Sequence, residues 1–324
     1  MNCWNSKSIW ASRKNLERSG IMITVIGSLN MDLVTYVARL PKTGETIIGQ
    51  DFKQMPGGKG ANQADAIAKL GAPVRMLGGV GADAMGEVLL ASLHQDGVDI
   101  SQIERFDGAS TGIATIIVDD AGCNCIVVTP GANYRILPGD IRNLQTVIED
   151  SDIIVTQLEI PMETVRNSLQ LAKKLGKTTI LNPAPAGALD DDLLSDVDIL
   201  IPNETELELL SGEPLHTEAE IIAAARKLIT RGVQEVIVTL GEKGCVYVNA
   251  EQSQGFVAYQ VDTVDTTAAG DSFIGGVAVA LSEGKQIEEA ISFAMVVAAL
   301  TVTKKGAQSS LPDRGEVEKF GGRY

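Results

Sequence analysis

Cysteine, histidine and aromatic side chains are all scarce in this chain, and each scarcity removes a class of chemistry. The four cysteines, Cys3, Cys123, Cys125 and Cys245, form no C-x-x-C pair. Neither a disulfide framework nor a cysteine-rich zinc site is therefore available, and a reduced, cytoplasmic protein is expected. Cys123 and Cys125 would share one face of a strand, where free cysteines commonly sit as small apolar residues. His94 and His216 are the only histidines; without cysteine or carboxylate spacing around them they argue against a zinc centre or a His-based nucleophile, and both are expected on surface helices. Basic residues are outnumbered, 27 against 42 acidic, for a net charge of −15. With no Lys/Arg cluster and no alternation of aromatic and basic residues, a nucleic-acid groove or an anionic membrane surface is excluded as a partner. No segment is long and apolar enough to span a bilayer, and residues 1–20 lack a signal-peptide core. Residues 1–21 are expected to be a disordered leader, the folded body running from Met22 to Tyr324. Two phosphate signatures are also missing: there is no G-x-x-x-x-G-K-[ST], and the first strand runs into GSLNMD rather than G-x-G-x-x-G. A P-loop and a dinucleotide fingerprint are both ruled out.

What is present is a large apolar complement, 44% of 324 residues, enough for one large α/β domain or two ordinary ones. Short β-rich runs at 23–28, 73–80, 152–158, 178–182, 198–203 and 235–241 alternate with helical segments. That alternation predicts a mostly parallel sheet with helices on both faces. Residues 32–54 and 109–129 break it; each looks like a strand pair with a turn, and together they are expected to form a small β-sheet lid inserted into the single α/β body. Parallel α/β sheets collect ligands at the carboxyl ends of their strands. Those ends carry Asn30, Gln157 to Glu159, Asn182, Asn203, Thr239 to Gly241, and Asp265. Any single one could merely terminate its strand; six on one edge point to a site.

Two glycine-containing segments can hold a ligand. MPGGKGANQ enters a helix through Gly57, Gly58 and Gly60, with Lys59 and Asn62 as donors for hydroxyl groups, although a lone Gly-rich helix start can be plain turn chemistry. In DTTAAGDSF, Thr266 to Gly270 have side chains too small to cover their own N–H groups, and a helix follows, so an anion hole suited to a phosphoryl group is predicted. Asp271 then falls in the first helical turn, where catalysis and simple stabilisation by the helix dipole are both open from this segment alone.

PGGKGANQ, QLE, NPAPA, PNETE, TLGEKG, DTTAAGD and KGAQSSLP, in that order between residues 56 and 312, resemble the ribokinase family of carbohydrate kinases, and the resemblance covers the chain from Met22 onward. It implies one α/β domain whose β lid also builds a homodimer interface, and ATP-dependent phosphorylation of D-ribose at O5, with Mg²⁺ at the nucleotide and K⁺ as activator. A relative acting on 2-deoxyribose, a nucleoside or another pentose is the alternative. By the same resemblance Asp271 is the base that takes the proton from the sugar's primary hydroxyl, and the backbone of Ala268, Ala269 and Gly270 is the anion hole. Asn30, Asp32, Gly58, Lys59, Gly60, Asn62 and Glu159 hold the sugar. Asn203, the turn of Thr239, Gly241, Glu242, Lys243 and Gly244, then Gly270 and Met295 beside the adenine, hold ATP. Glu206 organises Mg²⁺ through water. Asp265, Thr267, Thr301, Lys304, Gly306 and Ser310 hold K⁺. Without the resemblance, Asn203 and Glu206 read as a helix cap and a surface glutamate, and KKGAQSSLP as an exit from the last helix. Three departures stand out: Met295 stands where relatives often carry a polar residue, Asp65 is acidic where relatives are apolar or small and is expected to face solvent, and the N-terminal leader has no family counterpart; AAGD, where many relatives carry GAGD, is part of the resemblance. A sugar-binding regulator without catalysis would need the AAGD aspartate to be lost; a dehydrogenase would need the missing fingerprint.

Overall fold

The computed structural model describes residues 20–139 and 144–321; the expected leader, Gly20 and Ile21 apart, lies outside the described residues, as does Cys3. Among the described residues thirteen strands form two sheets. They are β1 (Ile23–Ile26), β2 (Asn30–Val37), β3 (Asp51–Gly57), β4 (Val74–Gly81), β5 (Asp99–Phe106), β6 (Gly112–Asp119), β7 (Asn124–Thr129), β8 (Ile153–Thr156), β9 (Thr178–Leu181), β10 (Ile199–Leu200), β11 (Glu235–Thr239), β12 (Cys245–Asn249) and β13 (Ser253–Phe256). The helices are α1 (Lys59–Lys69), α2 (Ala84–Gln95), α3 (Leu144–Glu149), α4 (Met162–Lys174), α5 (Asp191–Ser195), α6 (Glu204–Ser211), α7 (Glu218–Thr230), α8 (Ala269–Ser282), α9 (Ile287–Thr301) and α10 (Arg314–Gly321).

The nine-stranded sheet runs β13-β12-β11-β10-β9-β8-β1-β4-β5. It is parallel from β11 to β5, and antiparallel only where β12 and β13 are added at one edge. ITVI, IIVT and TTIL are buried at every position, because helices cover both faces; such strands read as unbroken apolar or β-branched runs rather than alternating ones. Ile23 and Val25 join Ile67 of α1 and Phe273 and Val277 of α8 in one core. Ile154 and Val236 join Leu169 of α4 and Leu228 of α7 in the other. The periodicity missed β5 and the β12–β13 extension. β5 and β13 place polar residues at exposed positions and carry no apolar run.

The second sheet, β3-β2-β6-β7, joins the two segments that broke the alternation. Each is an antiparallel pair, and β2 and β6 run parallel, with Asn30 opposite Gly112. Every residue of β7 is exposed. Cys123 and Cys125 are exposed there as well, so the expected apolar packing of these thiols is not found, since the outer hairpin has no layer over it among the described residues. His94 is exposed on α2 as expected, whereas His216 lies in the loop before α7, whose first turn starts only after the Thr217 cap. Asp65 is the clearest correction. It is fully buried and paired with Lys69 at 2.9 Å, because α1 is enclosed by α2, α8 and β4 and has no solvent face over Gly60–Ile67.

Candidate active site

Backbone geometry brings α1 to the sheet edge. Gly58 caps α1 at φ 92°, a left-handed conformation that costs side-chain-bearing residues about 1 kcal/mol or more. A side chain at Gly60 would collide with the backbone of Gly27 and Ser28. With both glycines in place Ala61 N–H donates to the Ser28 carbonyl at 2.9 Å, and the start of α1 faces the carboxyl end of β1.

Opposite it begins α8. Its first turn has no side-chain cap, and Ala268, the residue before the helix, adopts φ 60°. Ala268 is the only non-glycine residue with positive φ among the described residues, and it stands at the position where the GAGD pattern has its first glycine. Strain of this kind persists where the surroundings over-determine the backbone, and functional sites are where it clusters. Asp271 is buried in that turn. Asn62 Nδ2 donates to its Oδ2 and Gln63 Nε2 to its Oδ1, both at 3.0 Å. Burial pushes the Asp271 carboxyl up; Lys59, Asn62 and Gln63 oppose the rise and Glu159 adds to it.

The expected sugar residues converge around this carboxylate. Ser28 Oγ at 2.5 Å, Lys59 N–H at 3.2 Å and Asn30 Nδ2 at 3.5 Å all donate to Glu159 Oε2. Asp32, half-buried on β2, has its carboxyl pushed up to about 7, by burial first and then by the charges of Glu159 and Asp271. Burial works against the Lys59 ammonium, but the carboxylates of Asp271, Glu159 and Glu206 outweigh it and hold its pKa above the ordinary lysine value. One cation thus links the sugar residues to the nucleotide residues. Asn133 was not anticipated: its amide bonds both main-chain groups of Leu29, at 2.9 and 3.0 Å, and donates to Asn30 Oδ1 at 2.8 Å. It lies in a Gly-Ala-Asn step just after the small sheet, a turn signal that spacing alone does not connect to residue 30.

At the nucleotide end Asn203 caps α6 and Glu206 completes a capping box, its Oε2 accepting from Asn203 N–H at 2.9 Å. The helix-cap role is therefore real, but Glu206 is buried rather than on the surface. Burial raises its pKa, with the Asn203 N–H and Lys59 opposing and Asp271 adding to the rise. Asn203 bridges to Thr239, whose N–H donates to the Pro202 carbonyl at 2.9 Å. Gly241, Glu242 and Lys243 then form a single 3₁₀ turn closed by Gly244. Met295 is buried on α9 among Ile291 and Val296. A cavity of about 360 Å³ lies beside this turn against the start of α7, and of the expected nucleotide residues only Lys243 lines it. The carboxylate cluster lies outside that cavity.

For a monovalent cation, the Asp265 carboxylate gathers two of the other expected residues, Thr267 and Gly306. Its Oδ1 accepts from Thr267 N–H and Oγ1 at 3.0 and 2.7 Å, and its Oδ2 from Gly306 N–H at 2.9 Å. These bonds hold Asp265 below the usual carboxylate range in spite of burial. The Lys304 ammonium, a donor only, pairs with Glu316 at 2.7 Å, and the oxygen Lys304 can offer is its main-chain carbonyl. Its N–H donates to the Thr301 carbonyl at 3.2 Å, and Ser310 Oγ donates to the Ala307 carbonyl at 2.7 Å. The set is hard oxygen, which fits K⁺. Among the described residues no three His, Cys, Asp or Glu side chains cluster to cage a metal, so Mg²⁺ would rely on Glu206, water and phosphate oxygens, its usual mode of binding.

A buried carboxylate at a helix start without a side-chain cap, with a lysine held among three carboxylates, is an arrangement that can bind an anion and take a proton from a hydroxyl. A model of the pfkB family of carbohydrate kinases matches residues 21–314, and the chain belongs to that family. It is 42% identical over 298 residues to a ribokinase of Haemophilus influenzae, covering 92% of this chain and 97% of that protein. It is 41% identical over 299 residues to a deoxyribokinase of Salmonella typhi, with 92% and 97% covered. Its fold matches an Arabidopsis thaliana ribokinase complexed with ribose and ATP, at a TM-score of 0.88 and 36% identity, covering 93% and 98% of the two chains.

Proposed function

We propose that the protein transfers the γ-phosphoryl group of ATP to O5 of D-ribose. The observation that carries this reading is the Asp271 carboxylate at the uncapped start of α8, bonded by Asn62 and Gln63 and sharing Lys59 with Glu159 and Glu206. Asp271 accepts the proton of the attacking hydroxyl; phosphoryl transfer has a loose transition state, so a carboxylate of modest basicity is sufficient. N–H groups of Ala268 to Gly270 neutralise the equatorial oxygens, that of Ala269 turning from the Thr266 carbonyl it bonds at 3.3 Å, and the Lys59 ammonium, fixed among the carboxylates, stabilises the charge that develops between nucleotide and acceptor. Asn30, Asp32 and Glu159 present acceptors and donors to the ring hydroxyls, with Gly58, Gly60 and Asn62 on the facing strip of α1. Asn203 and the Thr239–Gly244 turn hold the nucleotide, with Met295 on the adenine side. Glu206 would hold Mg²⁺ through water, which supplies charge neutralisation on the phosphates. Asp265, Thr267 and Gly306, with main-chain oxygens at Thr301 and Lys304 and the region of Ser310, would hold K⁺ and brace the 265–271 loop.

The small sheet would act as a lid over the sugar and as a homodimer surface, a role supported by the exposed Phe52, Ile126, Val127 and Val128 on its strands. The exposed thiols of Cys123 and Cys125 support a reducing, cytoplasmic setting. No helix among the described residues is long and apolar enough to cross a membrane. The second reading, phosphorylation of 2-deoxyribose, is favoured by the deoxyribokinase similarity, which matches the ribokinase similarity in extent. An ADP-release assay over ribose, 2-deoxyribose, other pentoses and nucleosides, with and without K⁺, decides between them. Ribose with the highest kcat/KM is expected; equal or better kcat/KM with 2-deoxyribose transfers the assignment to the second reading, and no turnover with any sugar removes both.

A further inference from the structure

Behind Asp271 lies a chain of two buried carboxamides, of which the reading above uses only the bond from Gln63 to Asp271. Gln63 and Gln157 are both 0% exposed. Gln63 Nε2 donates to Asp271 Oδ1 at 3.0 Å, and Gln157 Nε2 donates to Gln63 Oε1 at 2.5 Å. Gln157 Oε1 ends the chain, buried and without a partner. The direction is set by the carboxylate, which can only accept when ionised. Gln63 must turn its N–H₂ toward Asp271, so its oxygen faces Gln157, which must turn its own N–H₂ the same way. Neither amide can flip unless both do. Gly27 makes room for the far end, since any side chain there would collide with the Gln157 carboxamide.

A purely packing role is poorly served by this arrangement. Two buried amides and an orphaned acceptor cost stability that leucine or methionine would not. What the chain provides is a donor that favours ionised Asp271 and holds one carboxylate oxygen, leaving the remaining lone pairs for the attacking hydroxyl. We propose that Gln157 and Gln63 form a directional amide relay that positions Asp271 as the base, with Gly27 as the residue that accommodates its far end. The inference rests on the reading of Asp271 given above. Charged groups facing Asp271 are Lys59 of α1, Glu159 after β8, Asp32 of β2 and Glu206 of α6, and all four remain in the variants below.

The test uses the full chain carrying Gln63→Leu, Gln157→Leu, the pair together, and Asp271→Asn as a parallel control, with kcat/KM for the sugar followed against pH and thermal melts recorded for each. Gln63→Leu is expected to move the acid limb of the profile upward by about one pH unit, the scale of one lost hydrogen bond to a carboxylate. Its kcat at neutral pH is expected to drop about tenfold, with KM for ATP unchanged. Gln157→Leu should move the limb in the same direction by less, and the pair should match Gln63→Leu alone, since residues acting as one unit are not additive. Gln63→Glu, nearly isosteric, should be worse than Gln63→Leu because it sets a second carboxyl against Asp271. A folded Gln63→Leu with an unmoved acid limb, or a strictly additive pair, overturns the relay. If Gln63→Leu does not fold, Gln157→Leu and Gly27→Ala read the same limb from the far end, and unmoved profiles there overturn it equally. With Asp271→Asn inactive, such results remove the relay alone; an active Asp271→Asn removes the base assignment and the relay with it.

Discussion

Asp32→Asn is expected to make the protein more stable and less active at the same time, and the two effects have separate physical origins. In the folded protein the Asp32 carboxyl titrates near 7, against 3.8 for an ordinary aspartate, because burial and the charges of Glu159 and Asp271 disfavour its ionised form. Between those two values the unfolded chain has released the proton and the folded one has kept it. Stability therefore falls as pH rises through that window and is level above it. At about 1.36 kcal/mol per unit the full loss is at most about 4 kcal/mol. Solvent reaches part of the side chain and the neighbouring carboxylates titrate with it, so about 1–2 kcal/mol is a realistic share. Asparagine, neutral and nearly isosteric, escapes that loss. The variant should melt about 2–6 °C above wild type at pH 8, with the advantage shrinking toward zero as pH falls to about 4. Asp65 and Glu235, also raised to about 7, bend the wild-type curve the same way, so the quantity to measure is the difference between variant and wild type at each pH. Activity moves oppositely: a charge-assisted acceptor for the ring hydroxyls is lost, which should lower kcat/KM for ribose about ten- to a hundredfold. Calorimetry across pH and steady-state kinetics on the same preparations suffice. A variant less stable than wild type at pH 8 would refute the electrostatic part, and unchanged kcat/KM would remove Asp32 from the sugar site.

Asp271→Asn should fold normally and lower kcat by roughly a hundredfold or more, the usual scale for a lost general base; near-normal turnover takes Asp271 out of the mechanism. Exchanging K⁺ for Na⁺ or a bulky organic cation should lower activity, and Asp265→Ala should abolish that sensitivity, as read in initial rates over a cation series; a fully active wild type indifferent to the cation disproves the cation assignment. Ala268→Gly relieves the left-handed strain at φ 60° and should raise stability by up to about 1 kcal/mol, measured by thermal or denaturant unfolding. A less stable glycine variant would mean that the alanine methyl makes packing contacts worth more than the strain.

Apolar patterning was enough for the mostly parallel body and for the small second sheet, apart from β5 and the β12–β13 edge. Runs such as ITVI and IIVT can be satisfied only with cover on both faces, and parallel order then places their carboxyl ends, with Glu159, Asn203 and Thr239, on one edge. Local chemistry also pointed to a start of α8 without a side-chain cap, but the run is not left uncovered, since Thr267 N–H donates to Asp265 Oδ1 and Ala269 N–H to the Thr266 carbonyl at 3.3 Å. Other features depended on the tertiary structure. Asp65 reads as a surface residue on an ordinary helix, and only the enclosure of α1 by α2, α8 and β4 shows that it is buried with Lys69. Gln63 and Gln157 stand 94 positions apart, and no periodicity links them; the close approach of α1 to the end of β8 puts their amides in line behind Asp271. Elevated pKa values at Asp32 and Glu206 have the same origin, since desolvation and charge proximity are properties of the assembled pocket, set by which segments meet there and not by the order in which residues are joined.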